Sequence, residues 1–476
     1  MRRLIFPILI VLLTGCMVGP NYSRPRVDTP QAFHYQVQDA RETVNTLWWK
    51  QFQDPVLDDL IAEALTNNKN VKIAAANIEQ AAGVLTQTRS SLFPQLNYDA
   101  TGTRQRASEL GATPISSAVP NPQTSWQLLA GANWELDLWG RVRRLSEAAR
   151  ANLFASEEAR RGVILSLVST TAGSYIQLLG LDEQLDIAKR TLETYAESVK
   201  LFELQFQHGQ VSQMNVAQAR SQYETALATI PQIEAQIAQT EIALSILLGR
   251  NPGPIRRGKS LFSLALPAIP AGLPSEVLAR RPDIIQAEQN LIAANAQIGA
   301  AKALYFPTIS LTGALGTSSS DLENLFKGPA RVWSYAGSIT GPIFTAGAIA
   351  GQVQQAEAAR TAALLNYEAA IQNAFADVER ALVSCAKLGD QLDAQRQLVT
   401  TLQDYAYLAR LQYDGGYSPY LTVLDAQQQL FPSELNYAQT RSALCATFVQ
   451  LYQAMGGGWV TEAEMMTQAS QPPPGR

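Results

Sequence analysis

The stretch TSWQLLAGANWELDL, residues 124–138, decides the fold. Trp126, Leu128, Ala130, Ala132, Trp134, Leu136 and Leu138 occupy every second position, which is the pattern of a strand with one apolar face. A second stretch repeats it: Trp333, Tyr335, Gly337, Ile339, Gly341 and Ile343 alternate in the same way. Each has a candidate partner strand upstream, marked by Leu96, Tyr98 and Ala100 and by Ile309, Leu311 and Gly313. Two hairpins are therefore predicted, at about 95–138 and 308–344, each around a Gly/Ser/Pro-rich loop.

Working outward, the two hairpins belong to two copies of one pattern. Asn70 to Pro94 matches Asp283 to Pro307 at a constant offset of 213, with Ile78 on Leu291, Arg89 on Lys302 and Phe93-Pro94 on Phe306-Pro307. Beyond the hairpins the offset is 207: Gly140 meets Gly347, Gly209 meets Gly416, Ala219 meets Ala426, Thr240 meets Thr447 and Gly249 meets Gly456. A period near 200 residues is too long for a solenoid unit and indicates a duplicated structural half. In each half a helix (71–91 or 284–304) runs into Phe-Pro, which disfavours further helix. After the hairpin comes a proline-free helical stretch, 141–207 or 348–413. At ~1.5 Å per residue each such stretch would span roughly 100 Å. Both stop at glycine, Gly209 and Gly415-Gly416, and helices return over 214–248 and 420–455, with Pro231 and Pro432 expected to kink them.

The predicted organisation follows. Residues 1–15 are a signal peptide, 16–69 an N-terminal segment with a first helix, and 70–249 the first repeat with its helical tip near 208–213. Residues 250–275 form a Pro/Gly-rich linker, 276–456 the second repeat with its tip near 414–420, and 457–476 a tail. Length alone would have suggested about three domains of ~150 residues.

Composition limits the function. The chain has 476 residues, of which 46% are apolar, too many for ordinary disorder. Yet the longest unbroken apolar run is 4–13, short of the ~20 residues of a membrane-spanning helix, so a helical membrane protein is not expected. A net charge of −4 argues against nucleic acid as a partner. Charged residues are only 16%, below the ~25% of ordinary domains, and Gln, Asn, Ser and Thr supply the polarity, which suits surfaces that meet copies of themselves.

Arg2 and Arg3, the apolar run 4–13 and Leu13-Thr14-Gly15-Cys16 together form a secretory signal ending in a lipobox-like string. Cleavage before Cys16 with lipid attached to it is the expectation; a plain signal peptide with a chance cysteine is the alternative. Met17 stands where inner-membrane lipoproteins often carry Asp, which favours the outer membrane. Cys385 and Cys445 lie in helical stretches and read as small buried residues, though an oxidising compartment would allow them to pair.

Four strands cannot close a membrane barrel alone, because such barrels begin at eight and open edges cannot sit in lipid. If these strands face a membrane, the chain oligomerises: two copies supply eight strands and three supply twelve. Trp126, Trp134, Trp139 and Trp333 sit in or beside the strands, where an interfacial aromatic girdle would lie. The alternative is a small soluble sheet with core tryptophans.

At this point the residues resemble a family, the TolC-like outer membrane efflux proteins, in their NodT-type lipoprotein subgroup. The strings are 16–22 (Cys-Met-Val-Gly-Pro-Asn-Tyr), Trp48-Trp49 with Phe52 and Asp54-Pro55, Leu273-Pro274-Ser275 with Leu278 and Arg281-Pro282-Asp283-Ile284, and Val423-Leu424-Asp425-Ala426. The resemblance implies a mainly α fold with a small β part. Three protomers would each give four strands to one twelve-stranded outer membrane barrel, above a long periplasmic α-barrel. It implies a Gram-negative outer membrane location, a lipid on Cys16 with no other cofactor, a periplasmic adaptor protein, and a proton-driven inner membrane pump. The function so implied is passive export of drugs or other small molecules. An outer membrane duct for protein secretion, or a lipid-anchored scaffold without a pore, are the alternatives.

The same likeness makes Asp425 a candidate gate residue, recurring around a trimer axis, where a carboxylate ring favours cations. The family often has another acid three residues earlier; here that position is Thr422. A solvated residue in an N-terminal turn is the competing reading of Asp425. Gly209, Gln210, Val211 and Ser212, and Gly416, Tyr417 and Ser418, are the candidate adaptor-contact tips. No catalytic constellation is visible: the two histidines, His34 and His208, are far apart, and no Walker loop or HExxH occurs. The six methionines are scattered, so no metal-binding cluster is expected.

Overall fold

The computed structural model describes residues 17–27, 30, 32–35, 47–110, 120–270, 274–456 and 460–461. The expected signal peptide 1–15, Cys16 and most of the tail 457–476 lie outside the described residues.

After a 3-10 turn at Trp48–Phe52, the described elements run α1 (Pro55–Asn67), α2 (Lys69–Ser90), β1 (Gln95–Gln105), β2 (Gln123–Leu136), α3 (Arg141–Gln207) and α4 (Gln213–Leu247). The order continues with α5 (Pro274–Arg280), α6 (Pro282–Ala303), β3 (Thr308–Ser319), β4 (Arg331–Thr340), α7 (Ala348–Asp414) and α8 (Tyr420–Ala454). The duplication is exact in length: α2 and α6 have 22 residues each, α3 and α7 have 67, and α4 and α8 have 35. Both return helices continue through their prolines, Pro231 and Pro432. Helix α5 begins at Pro274, inside the expected linker 250–275, as suits a proline in the first turn.

The chain divides into two compact units rather than three domains, because each unit draws on three separate chain segments. One comprises the described residues of 1–26, 77–156 and 287–367; the other comprises the described residues of 27–76, 157–286 and 368–476.

The first unit contains a four-stranded antiparallel sheet in the order β1-β2-β3-β4. The two hairpins therefore join through β2 and β3, one strand from each repeat.

The core of the second unit gathers Trp48, Trp49 and Phe52 with Ile164, Val168, Tyr175 and Tyr452. Trp48 stacks on Tyr452 with ring centroids 5.4 Å apart. Asp54, fully buried, caps α1 by accepting from the Val56 N–H (2.9 Å) and also accepts from Tyr175 Oη–H (2.9 Å) and the Lys259 N–H (3.1 Å). The linker is thereby pinned onto the core. Asn68 separates α1 from α2: its side chain accepts from the Asn70 N–H (2.8 Å) and donates to the Leu247 carbonyl (2.8 Å), serving two helix ends at once.

An 18-residue window within α3 is apolar enough to cross a bilayer, yet 61% of it is buried inside the protein. Ser166 and the run Ser169-Thr170-Thr171 break the stretch that a search for unbroken apolar residues would find. The window serves as core, since Ile164, Leu165, Leu167, Val168 and Ile176 all join the aromatic cluster. Cys385 and Cys445 are free and buried, and burial pushes their thiols up to about 12 and about 11, which leaves them unreactive.

Candidate functional site

The pairing register assembles one chemical surface from four strands. Trp126 lies opposite Gly102 and Ser319, Ala130 lies opposite Tyr98 and Leu315, and Leu315 lies opposite Trp333. Opposed residues share a face. One face therefore presents Leu96, Tyr98, Ala100, Trp126, Leu128, Ala130, Ala132, Trp134, Leu136, Ile309, Leu311, Leu315, Trp333, Tyr335 and Ile339. The other presents chiefly Gln, Asn, Ser and Thr, with Asp99 and Glu135 its only carboxylates. The apolar face is largely uncovered: Leu96, Tyr98 and Tyr335 are each more than 80% exposed. A soluble sheet buries such a face, so this one requires another apolar medium.

The sheet is also slanted. Gln95 pairs with Asn133 and Asn133 with Thr312, whereas Thr340 pairs with Thr308, four positions lower on the same strand. At ~3.3 Å per residue that is about 13 Å of stagger across three spacings of ~4.8 Å, a slant of roughly 40°. Membrane barrels tilt their strands by about 35–45°. Trp126 and Trp134 on β2 are ~27 Å apart along the strand, or about 20 Å in height once tilted, comparable with the ~25 Å apolar band of such barrels. β1 and β4 each have only one strand neighbour, so both outer edges are open.

Three of the four candidate tryptophans, Trp126, Trp134 and Trp333, lie on the apolar face. Trp126 and Trp333 are near the loop end, and Trp333 stacks on Tyr335 at 5.8 Å. The Trp126 ring occupies the space a Cβ on Gly102 would need, so the glycine makes room for it. Trp134 and Trp139 lie at the helix-connected end and donate to the carbonyls of Leu92 (3.0 Å) and Pro307 (2.8 Å), next to the two Phe-Pro pairs. Trp139 follows the strand and stacks on Phe306 at 4.6 Å.

Cys16 itself is outside the described residues, but its successors are held firmly. The Val18 N–H donates to the Trp139 carbonyl (3.1 Å). Arg144, only 1% exposed, donates to the carbonyls of Val18 and Gly19 (both 3.2 Å) and to Asn21 Oδ1 (2.9 Å). Asn295 donates to the Pro20 carbonyl (3.0 Å), and Tyr22 donates to Glu288 (3.0 Å). Gly19, at φ +96°, passes so close to Gly299 that neither position admits a side chain. This strap fixes Met17 beside Gly140, at the junction of β2 and α3. Sequence reasoning passed over Arg144 and Gly299; a glycine on an Ala-rich helix was the only signal. Arg144→Ala removes three charge-assisted bonds to the strap, each worth roughly 1.5–3 kcal/mol. Hydrogen exchange over 17–24 should accelerate strongly in that variant while exchange in the sheet stays unchanged.

The two tips close alike. Gly209 and Gly416 have φ of +69° and +76°. The Gln210 N–H donates to the Gln205 carbonyl (2.9 Å) and the Tyr417 N–H to the Gln412 carbonyl (2.8 Å), the same six-residue closure in each repeat. Gly209, Gln210, Ser212, Gly416 and Tyr417 are exposed, Tyr417 at 89%. Val211 instead turns inward against Phe202 and Tyr420, and Ser418 is half-buried. Tyr420 joins the tips: its ring meets Phe202 at 4.4 Å and its hydroxyl donates to Ser198 (2.6 Å).

Asp425 is exposed and Thr422 half-buried. Asp425 Oδ2 accepts from Tyr405 Oη–H of α7 (3.1 Å) and from Gln429 Nε2 (2.9 Å). The carboxylate holds the Tyr405 phenol proton above its ordinary range. Among the described residues, no group of three or more His, Cys, Asp or Glu could hold a metal ion.

A family model described as "Outer membrane efflux protein" matches residues 60–250 and 273–457, one match in each repeat. The chain is 37% identical over 462 residues to the "Cation efflux system protein CusC" of Escherichia coli O6:H1, covering 96% of this chain and 98% of that one. It is 36% identical over 466 residues to the "Toluene efflux pump outer membrane protein TtgF" of Pseudomonas putida, covering 95% and 96%. The open state of the Neisseria gonorrhoeae MtrE outer membrane channel superposes with a TM-score of 0.84 at 34% identity, covering 93% of this chain and 98% of that one.

Proposed function

The chain belongs to the outer membrane efflux protein family, and from that premise we infer that three copies close one barrel and serve as the exit duct of a tripartite efflux system. It is an outer membrane efflux channel. The reading rests on the sheet, with its continuous apolar face, polar opposite face, barrel-like slant and two open edges. Open edges do not persist in lipid, so β4 of one copy pairs with β1 of the next. Two copies would make eight strands, whose interior side chains fill. Three copies make twelve and leave a water-filled lumen lined by the Gln, Asn, Ser and Thr face. That polar lining, with Asp99 and Glu135 its only carboxylates, suits varied small molecules, delivered by an inner membrane pump through a periplasmic adaptor. The exposed residues Gly209, Gln210, Ser212, Gly416 and Tyr417 support adaptor docking at the tips. The strap supports a lipid on Cys16 that enters the membrane beside the helix-connected end of the barrel. Trp126 and Trp333 then mark one lipid interface, and Trp134 with Trp139 the other.

Purified protein tests this. Trimer mass in detergent and ion conductance in planar bilayers are expected; a monomer without conductance ends the reading.

Asp425 serves as the gate carboxylate, held toward α7 by Tyr405. Asp425→Ala removes both the charge and the tie, so open probability should rise and cation selectivity should fall toward unity. Tyr405→Phe removes only the tie, so opening should rise with selectivity retained. Two silent variants would take this pair out of the gate.

A further inference from the structure

We propose that the outer rim of the barrel binds the sugar-borne phosphates of the outer-leaflet glycolipid through Arg104 and Arg331, one from each of two neighbouring copies. The proposal rests on the trimeric barrel inferred above. Register places both residues on the apolar face, Arg104 opposite Thr124 and Arg331 opposite Thr317. They are the only charged residues on that face among the described strand positions. Both lie at the loop end, Arg104 next to last in β1 and Arg331 first in β4. Both are exposed. Neither has a carboxylate partner among the described residues, whereas nearby Arg106 pairs with Glu109 at 3.4 Å.

Three further features point to lipid phosphate. Each arginine sits two residues beyond an aromatic shelf: Arg104 follows Gly102, over which the Trp126 ring lies, and Arg331 precedes Trp333. Indoles settle at the headgroup level, and a longer cationic side chain reaches past them into the phosphates. The same face has no cation at its helix-connected end, so the ligand belongs to the leaflet on the loop side. Finally, β1 and β4 are the two open edges, and closing the barrel sets Arg331 of one copy beside Arg104 of the next, on the same face and rim. Like charges on adjacent strands repel, and a phosphate between two guanidinium groups converts that repulsion into charge-assisted hydrogen bonds. Three seams make three such sites.

The test uses the purified full-length trimer, with native mass spectrometry to count bound lipid. The probes are diphosphorylated lipid A, its fully dephosphorylated form and phosphatidylglycerol. Wild-type trimer should retain up to three diphosphorylated lipid A molecules. The R104Q/R331Q double variant should bind at least about tenfold more weakly, as should the dephosphorylated lipid with wild type. Equal binding by the double variant, or by the dephosphorylated lipid or phosphatidylglycerol, overturns the proposal. Trimer mass and conductance are read on the same samples. A conducting trimer indifferent to these changes removes the phosphate site alone; a sample that never trimerises removes the barrel reading and the site with it.

Discussion

Ala130→Arg should abolish the assembled channel. Ala130 is at the centre of β2 on the apolar face, between Tyr98 and Leu315. An arginine at the midplane of a lipid-facing barrel strand costs about 2–4 kcal/mol. In a trimer the substitution enters three times, so the assembly loses roughly 6–12 kcal/mol. Gln127→Arg, on the opposite face and one hydrogen-bonded row from Trp126, places the same charge in the lumen. It should assemble normally and change only ion selectivity. Trimer yield in the outer membrane fraction separates the two faces. Equal yields from both variants would mean that the apolar face is not the lipid face.

Asp54→Ala should produce a large loss of folding stability within the second unit. The buried carboxylate caps α1 and accepts from the Tyr175 hydroxyl and the Lys259 N–H, and Gly258 lies against it where no side chain fits. Losing the cap costs about 0.5–2 kcal/mol, and each buried donor left unpaired costs roughly 1–3 kcal/mol more. The expected loss is therefore about 3 kcal/mol or more. Burial and the carboxylate both hold the Tyr175 phenol well above its ordinary range, so its proton is available only as a donor to Asp54. Thermal unfolding in detergent measures the loss. Asp54→Asn retains one acceptor oxygen and should recover about half of it. An unchanged midpoint for Asp54→Ala would show that the linker is held by other contacts, such as Arg257 to Asp182 at 2.8 Å.

Much of this protein is local and therefore legible along the chain. Helix periodicity, Phe-Pro stops and glycine turns act within a few residues. That is why the 67-residue helices, the return helices and both tip glycines stand almost where the sequence places them. The duplication was legible because both halves kept the same spacing between glycines. Val211 was harder: its place in a turn says nothing of the aromatic cluster that draws it inward. Arg144 and Tyr405 act through partners tens to hundreds of positions away, and no local pattern marks them; Asp54-Pro55 reads locally as a helix start, but nothing local marks the bonds of Asp54 to Tyr175 and Lys259.

The opening stretch shows where the division lies. Alternation in 124–138 determined, without a structure, that β2 has one apolar face and that four such strands per chain are too few to close a barrel. It did not determine which side of each strand shares a surface with its neighbours, because a one-residue slip in pairing exchanges the faces. The tertiary structure decided that. Its register brings the apolar positions of all four strands onto one surface, staggers them by four residues and leaves β1 and β4 as free edges. The physical reason is that side-chain alternation belongs to one strand, whereas register, slant and open edges belong to hydrogen bonds between strands far apart in the chain.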